Sequence, residues 1–333
     1  MQDKSGQLIV VTGATGLIGR AIVRNFVQQG HHVKALIRSK ENMYTVENSE
    51  SGKLSFWEAD LMNLTEPAAR QACEGASALI HCAGLVHQPN ASVDLYPLLN
   101  EKPTALLARA AQAENVSQFV FLSSSSVYGN KETNMIHEDV PCIPDTPYAS
   151  SKINCEQILR ENPPSKSTVI VRPSMVFGAG DRGNMLSLIR QILSGRYFLI
   201  SQGTAQKSLI FADDFAHAMH LLLEKKAVGM HTYNVANPEP VSMHDLSMAI
   251  YGAAGKTGSI PSLPGSLLRP VGALANAILG SKSPLTADRL DKLTRTNSIS
   301  IERFCRDYAF TPQWSLKDAL AKEIAWAKSA NLL

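Results

Sequence analysis

Apolar residues along this 333-residue chain recur in two alternating rhythms. Leu8–Thr12 is a short apolar run ending at glycine, the pattern of a strand buried on both faces. From Leu17 to Gln29 the apolar positions Ile18, Ala21, Ile22 and Phe26 return close to a helical period, and Gly30 stops the helix. The same reading predicts strands over His32–Ile37, Leu54–Glu58, Ala78–Cys82, Phe119–Ser123 and Thr168–Val171, with a helix over Leu95–Glu114. Strands alternating with helices imply βαβ units, hence an α/β fold with a doubly wound parallel sheet. Residues 1–177 carry that pattern. Beyond 178 it loosens, with Pro238, Pro240, Pro261, Pro264, Pro270 and Pro284 between short helical segments. A smaller substrate-binding lobe over 178–333 is expected, with the chain free to recross the boundary.

Open parallel sheets bind ligands beyond the carboxyl ends of their strands, and the unusual residues fall there. Gly13, Thr15, Gly16, Leu17, Ile18 and Gly19 follow the first strand. A GxxGxxG turn opening an amphipathic helix lets backbone N–H groups approach a pyrophosphate. Arg38 ends the second strand, where an acidic residue would accept from the ribose 2′-hydroxyl of NAD. A guanidinium suits a 2′-phosphate better, so NADP(H) is expected over NAD(H). Asp60 and Leu61 follow the third strand. Asp60 either accepts from the adenine amino group or caps the next helical turn. Ala83 and Gly84 follow the fourth strand, and Ser123–Ser126 the fifth.

Tyr148 and Lys152 stand four apart and share a face if helical. Free tyrosine, with a pKa of about 10, is a poor base at neutral pH. A neighbouring ammonium and a cationic nicotinamide ring favour its phenolate. Such a tyrosine can exchange a proton with an alcohol or ketone oxygen. A nearby serine hydroxyl can orient that oxygen and steady its developing charge.

The formal charge of +3 is small and the basic residues are scattered, which excludes a nucleic-acid stripe. Five cysteines without a CxxC pair argue for reduced thiols in a cytoplasmic setting and against a zinc site. No signal peptide is read at the start. The apolar stretch Leu267–Leu279 falls short of the roughly 20 residues of a membrane span and is read as a packed helix.

Five stretches together resemble the extended short-chain dehydrogenases/reductases: Thr12–Gly19, His81–Gly84, Phe121–Gly129, Tyr148-x-x-x-Lys152 and Arg172–Gly178. Within that superfamily the chain is similar to the NAD-dependent epimerase/dehydratase group, which acts on nucleotide sugars on a Rossmann fold. The resemblance implies Ser124, Tyr148 and Lys152 as catalytic residues, with Ser125 assisting. It implies that Pro173, Ser174 and Val176 pass the nicotinamide. Lys207 stands where many sugar-nucleotide epimerases place a pyrophosphate-binding arginine. Asn184, Arg182 and Arg289 are further candidates for the nucleotide half of the substrate. A homodimer through paired helices is also implied.

Epimerases of this group usually hold NAD through an acidic residue after the second strand, and Arg38 departs from that pattern. The departure favours NADPH-dependent reduction of a nucleotide-linked 4-keto, 6-deoxy sugar. A nucleotide-sugar 4-epimerase with retained cofactor is the alternative. Dehydratase chemistry is disfavoured because Ser125 and Ser126 occupy the places of its acidic pair. Behind these stand a small-ketone reductase and a non-catalytic dinucleotide sensor.

Overall fold

The computed structural model describes residues 6–44, 52–86, 92–129, 132–265 and 294–333. The chain enters through β1 (Leu8–Thr12), turns at the glycine loop and runs into α1 (Leu17–Gln28). β2 (His32–Ile37), β3 (Leu54–Glu58), α2 (Glu66–Cys73) and β4 (Ala78–His81) follow. A π-helical turn at Pro97–Glu101 leads into α3 (Lys102–Ala113), and β5 (Gln118–Leu122) comes next. Then come β6 (Thr133–Ile136), α4 (Pro147–Glu161), β7 (Ser167–Pro173) and β8 (Met175–Phe177). Further on are α5 (Asn184–Leu193), β9 (Leu199–Ile200), β10 (Gln206–Lys207), β11 (Leu209–Phe211) and α6 (Ala212–Glu224). β12 (Gly229–Val235), β13 (Val241–Ser242), α7 (Met243–Ala253) and β14 (Ser262–Leu263) precede β15 (Asn297–Ile299), α8 (Glu302–Tyr308) and α9 (Leu316–Ser329). Leu267–Leu279 and Arg289 lie outside the described residues. Among the described residues no helix is long and apolar enough to cross a membrane.

The main sheet has seven strands in the order β12-β7-β5-β4-β1-β2-β3, every pair parallel. Side chains alternate between its faces because a strand has a period of two. Ile9, Val11, Ile80, Val120, Val169 and Val171 pack on one face with residues of α1 and α6. Val10, Leu79, Phe119, Phe121 and Ile170 face the other way, onto α2, α3 and α4. A third cluster joins α5, α7 and α9. This is the Rossmann architecture. Strand order reverses between β1 and β4, and the crevice beyond their carboxyl ends is where such sheets take ligands.

One feature differs from the sequence pattern. The long helix expected over Leu95–Glu114 begins as a wide turn, because Pro103 has no N–H to donate to the carbonyl of Leu99. The turn carries Asn100, 1% exposed, toward the crevice. The chain re-enters the sheet after residue 178. β12 pairs with β7 along seven residues, and α6 packs on α1.

Candidate active site

The glycine loop separates into residues needed for packing and one that is open. Gly13 has φ +65°, and a Cβ there would lie 2.8 Å from the Ala83 nitrogen. A Cβ on Gly19 would meet the Gly13 carbonyl oxygen at 2.1 Å. Gly16 has an ordinary extended conformation, and its nearest neighbour, the Gly13 oxygen, would be 3.4 Å from a Cβ. It stands at the N-cap of α1, where no side chain caps the helix and no acidic residue occupies the first turn. Thr15 and Leu17 flank it, while Ile18 packs against the core. Bare amides and a positive helix end facing an unblocked approach fit a pyrophosphate.

A buried chain of hydrogen bonds fixes the floor beneath the loop. Thr104 donates to the Asn100 carbonyl at 2.7 Å, so at its 3.0 Å contact with His81 Nε2 it accepts. That leaves His81 Nδ1 to accept from Thr12 at 2.7 Å, while Thr12 Oγ1 accepts from the Ala83 amide at 3.1 Å. Burial, helped by the nearby Lys152 ammonium, holds His81 neutral, its pKa lowered to about 3. Asn100 grips the next turn from both sides. Its Oδ1 accepts from the Leu85 amide at 2.6 Å, and its Nδ2 donates to the Leu85 carbonyl at 3.2 Å and to Ser151 at 2.9 Å. Between them runs Gly84, where a Cβ would meet Asn100 Oδ1 at 3.0 Å and Lys152 Nζ at 3.4 Å.

Tyr148 and Lys152 lie on α4, which begins at Thr146 with a side-chain cap on the Ala149 amide and Pro147 in its first turn. Lys152 is 4% exposed. Its ammonium donates to the Leu122 carbonyl at 2.8 Å, lies 4.8 Å from the centre of the Phe121 ring and 6.0 Å from that of Tyr148. An ammonium has three N–H donors, so this buried lysine keeps capacity to donate into the crevice. Tyr148 is half-buried, with its ring centre 6.5 Å from that of Tyr96.

Ser124 is extended and caps the 3-10 turn Ser125–Tyr128. Its Oγ accepts from the Ser126 amide at 3.1 Å and from the Ser126 hydroxyl at 2.9 Å. With its lone pairs engaged, its own proton is available to donate outward. Ser125 is half-exposed beside it. Across the crevice, Pro173 ends β7 and Val176 lies half-buried in β8. Ser174, between them, is 8% exposed, and its Oγ has no hydrogen-bond partner among the described residues. A buried hydroxyl without a partner is costly, and a polar ligand group at this position removes the cost.

The remaining candidates are less concentrated. Arg38 is exposed at the end of β2. The loop after it is fastened to the glycine loop by Tyr44, whose hydroxyl donates to the Ala14 carbonyl at 2.9 Å, with the Arg20 guanidinium 4.9 Å from its ring centre. Asp60 caps the turn after β3, accepting from the Met62 amide at 3.1 Å and from Asn63 at 2.7 Å, and a carboxylate keeps further acceptor capacity. Leu61 is half-buried in the same turn. Asn184 is exposed at the first turn of α5, and Arg182 is exposed just before it. Lys207 in β10 donates to the Arg295 carbonyl at 2.7 Å, and burial lowers its pKa to about 8. Among the described residues no group of three or more His, Cys, Asp or Glu could hold a metal ion.

Residues 9–236 match the NAD dependent epimerase/dehydratase family. The chain belongs to that family. A 4-epimerase of N-acetyl-alpha-D-glucosaminyl-diphospho-ditrans,octacis-undecaprenol from Escherichia coli O157:H7 is 25% identical over 306 residues, covering 91% of this chain and 86% of the relative. A 2-alkyl-3-oxoalkanoate reductase from Stenotrophomonas maltophilia is 28% identical over 331 residues, covering 94% and 97%. Among solved structures, the UDP-glucuronic acid 4-epimerase of Bacillus cereus in complex with NAD superposes with a TM-score of 0.76 at 21% identity, covering 97% of this chain and 99% of that one. Three residues beside the Tyr148–Lys152 turn escape a reading of motif spacing. Asn100, Glu156 and Tyr96 reach it through contacts that cross between elements. The one sequence cue is Glu156, a further turn along the Tyr148–Lys152 face of α4.

Proposed function

We propose that this protein is a nucleotide-sugar 4-epimerase that keeps its nicotinamide dinucleotide bound through the cycle. The observation that carries the reading is the convergence of Tyr148, Lys152 and Ser124 at the strand ends beside the glycine loop. The bound dinucleotide supplies reversible removal and return of hydrogen at the sugar carbon. Tyr148 takes the proton of the C4 hydroxyl and returns it to the oxygen after the sugar has turned over. Lys152 would donate to the nicotinamide ribose, and its ammonium stands 6.0 Å from the centre of the Tyr148 ring. Ser124 donates to the C4 oxygen, holding it against Tyr148 while its charge changes. Asn184, Arg182 and Lys207 are placed by this reading toward the diphosphate and base. The likeness to a 4-epimerase along 91% of the chain supports it. The five free cysteines support a reducing, cytoplasmic setting.

One observation favours a second reading. Arg38 is exposed at the end of β2 with no acidic residue beside it in the sequence Leu36-Ile37-Arg38-Ser39-Lys40. That corner suits the 2′-phosphate of NADP(H), and an exchangeable NADPH suits net reduction of a 4-keto sugar. Incubating the purified protein with UDP-glucose, UDP-N-acetylglucosamine and UDP-glucuronic acid, and in parallel with a UDP-linked 4-keto-6-deoxy sugar with and without NADPH, separates the two. Formation of the C4 epimer without added coenzyme supports the epimerase. A requirement for stoichiometric NADPH, with a keto sugar consumed, replaces it with the reductase.

A further inference from the structure

Below the Tyr148–Lys152 turn, α4 carries a carboxylate that the proton-transfer chemistry does not use. Glu156 is 2% exposed. Its Oε1 accepts from Ser123 Oγ at 2.6 Å and from Arg172 Nε at 2.9 Å, and its Oε2 accepts from Arg172 Nη2 at 2.6 Å. Arg160, one turn further along, reaches Oε2 at 3.4 Å. Arg172 is 4% exposed, so both charges of a bidentate pair are withdrawn from water. The other side of its guanidinium donates to Tyr128 Oη at 3.0 Å and to the Glu138 carbonyl at 3.3 Å. Tyr128 in turn donates to Asn234 Oδ1 at 2.8 Å.

The partners of this pair have a common feature. Ser123 precedes Ser124. Tyr128 closes the 3-10 turn that Ser124 opens. Arg172 precedes Pro173 and Ser174, and Asn234 lies in β12 beside β7. Glu156 is on the helix that carries Tyr148 and Lys152. A buried ion pair is weak evidence for stability, because desolvation offsets most of its attraction. It does fix geometry, since a bidentate guanidinium–carboxylate contact tolerates little rotation.

We propose that Glu156 and Arg172 are positioning residues. They set the distance between the Tyr148 hydroxyl on α4, the Ser124 hydroxyl after β5 and the nicotinamide wall after β7. The proposal rests on the proton-transfer centre given above. It assigns the buried pair to alignment of that centre, with a separate bond to Ser123 as the register pin.

Two variants test it, each assayed on whichever of UDP-glucose, UDP-N-acetylglucosamine and UDP-glucuronic acid the wild type epimerises, with Tyr148→Phe alongside. Ser123→Ala removes one hydrogen bond and leaves the ion pair intact. Its KM should match wild type and its melting temperature should fall by only a few degrees, the loss of one buried hydrogen bond, while kcat falls about 3- to 10-fold from lost alignment. The double variant Glu156→Met, Arg172→Met replaces the pair by apolar side chains. Its melting temperature should equal or exceed that of wild type, while kcat stays about 10- to 100-fold down at unchanged KM. Wild-type kcat in Ser123→Ala overturns the proposal, and so does recovery of kcat together with melting temperature in the double variant. If the double variant does not fold, Ser123→Ala decides alone. An active Tyr148→Phe enzyme defeats the proton-transfer centre itself. An inactive one beside unimpaired alignment variants defeats only the positioning role.

Discussion

The Lys152 ammonium donates to the Leu122 carbonyl at 2.8 Å, which pins the helix of Tyr148 to the end of β5 beside Ser123 and Ser124. The contact satisfies one N–H of a buried cation and leaves the others for a ligand. Lys152→Met removes a buried charge without opening a large cavity. The variant should melt at or above the wild-type temperature, since the charge carries a desolvation cost. Its dinucleotide affinity, measured by calorimetry, should fall about 10- to 100-fold, the worth of hydrogen bonds to a charged donor. Unchanged affinity would contradict the role given to Lys152.

The glycine loop gives a paired test. Gly19→Ala forces a Cβ to 2.1 Å from the Gly13 carbonyl, so backbone must move, at a cost of about 1–3 kcal/mol. Gly16→Ala meets nothing closer than 3.4 Å and keeps a φ that alanine adopts freely. It should lose no more than about 1 kcal/mol of stability, the cost of a poorer cap. Dinucleotide binding should nevertheless weaken at least about tenfold, because the methyl group stands in the pyrophosphate approach. Denaturant melts and binding titrations on the two variants check this. A Gly16→Ala protein that binds as wild type would contradict the placement.

Arg38 offers a test of coenzyme choice. Arg38→Ala should weaken NADPH binding more than NADH binding, by about 10-fold or more, since a charge-assisted contact is lost only where a 2′-phosphate is present. Parallel titrations measure the ratio. Equal losses would remove Arg38 from the coenzyme corner.

Glu323 in α9 predicts a pH dependence of stability. It is fully buried, and neither carboxyl oxygen meets a donor in good hydrogen-bond geometry among the described residues. Burial, with Asp181 adding repulsion, raises its pKa from 4.5 to about 9, and the nearby Gly178 amide offsets little of this. The folded protein therefore holds this proton more tightly than the unfolded chain does. The contribution of this group to stability is greatest below about pH 4.5, declines as pH rises toward about 9, and is level beyond. Within the window the slope from this group alone is about 1.4 kcal/mol per pH unit. Glu323→Gln removes that slope. It should melt near the wild-type temperature at pH 4 and above it at pH 8. Equal melting temperatures at pH 8 would show that the carboxyl has a partner.

Much of this was legible in the residue pattern, for physical reasons. Ile9, Val10 and Val11 read as strand because a strand covered on both faces must be apolar throughout. Gly13, Gly16 and Gly19 read as a dinucleotide turn because only their spacing allows both the tight packing and the open approach. β12 was not legible. Its first half is partly exposed, and it follows a segment where proline and glycine break the alternation. The π-helical turn that delivers Asn100 was hidden for a different reason. Pro97 and Pro103 look like ordinary helix-start residues, and their effect on register emerges only when the ladder is built. Arg172 opens the stretch Arg172–Gly178 that carries part of the family resemblance, but motif spacing does not reveal that its guanidinium is committed to Glu156, sixteen residues away in sequence. Such a contact depends on α4 lying over β5 and β7, which spacing alone does not express.

The proton-transfer role of Tyr148 is tested most directly by kcat of Tyr148→Phe on the epimerised UDP-sugar, with bound dinucleotide quantified in the same preparation. The expected result is normal dinucleotide content and a kcat lower by about 10²- to 10⁴-fold, the contribution of one positioned acid–base group. A variant with full dinucleotide content and near wild-type kcat would contradict it.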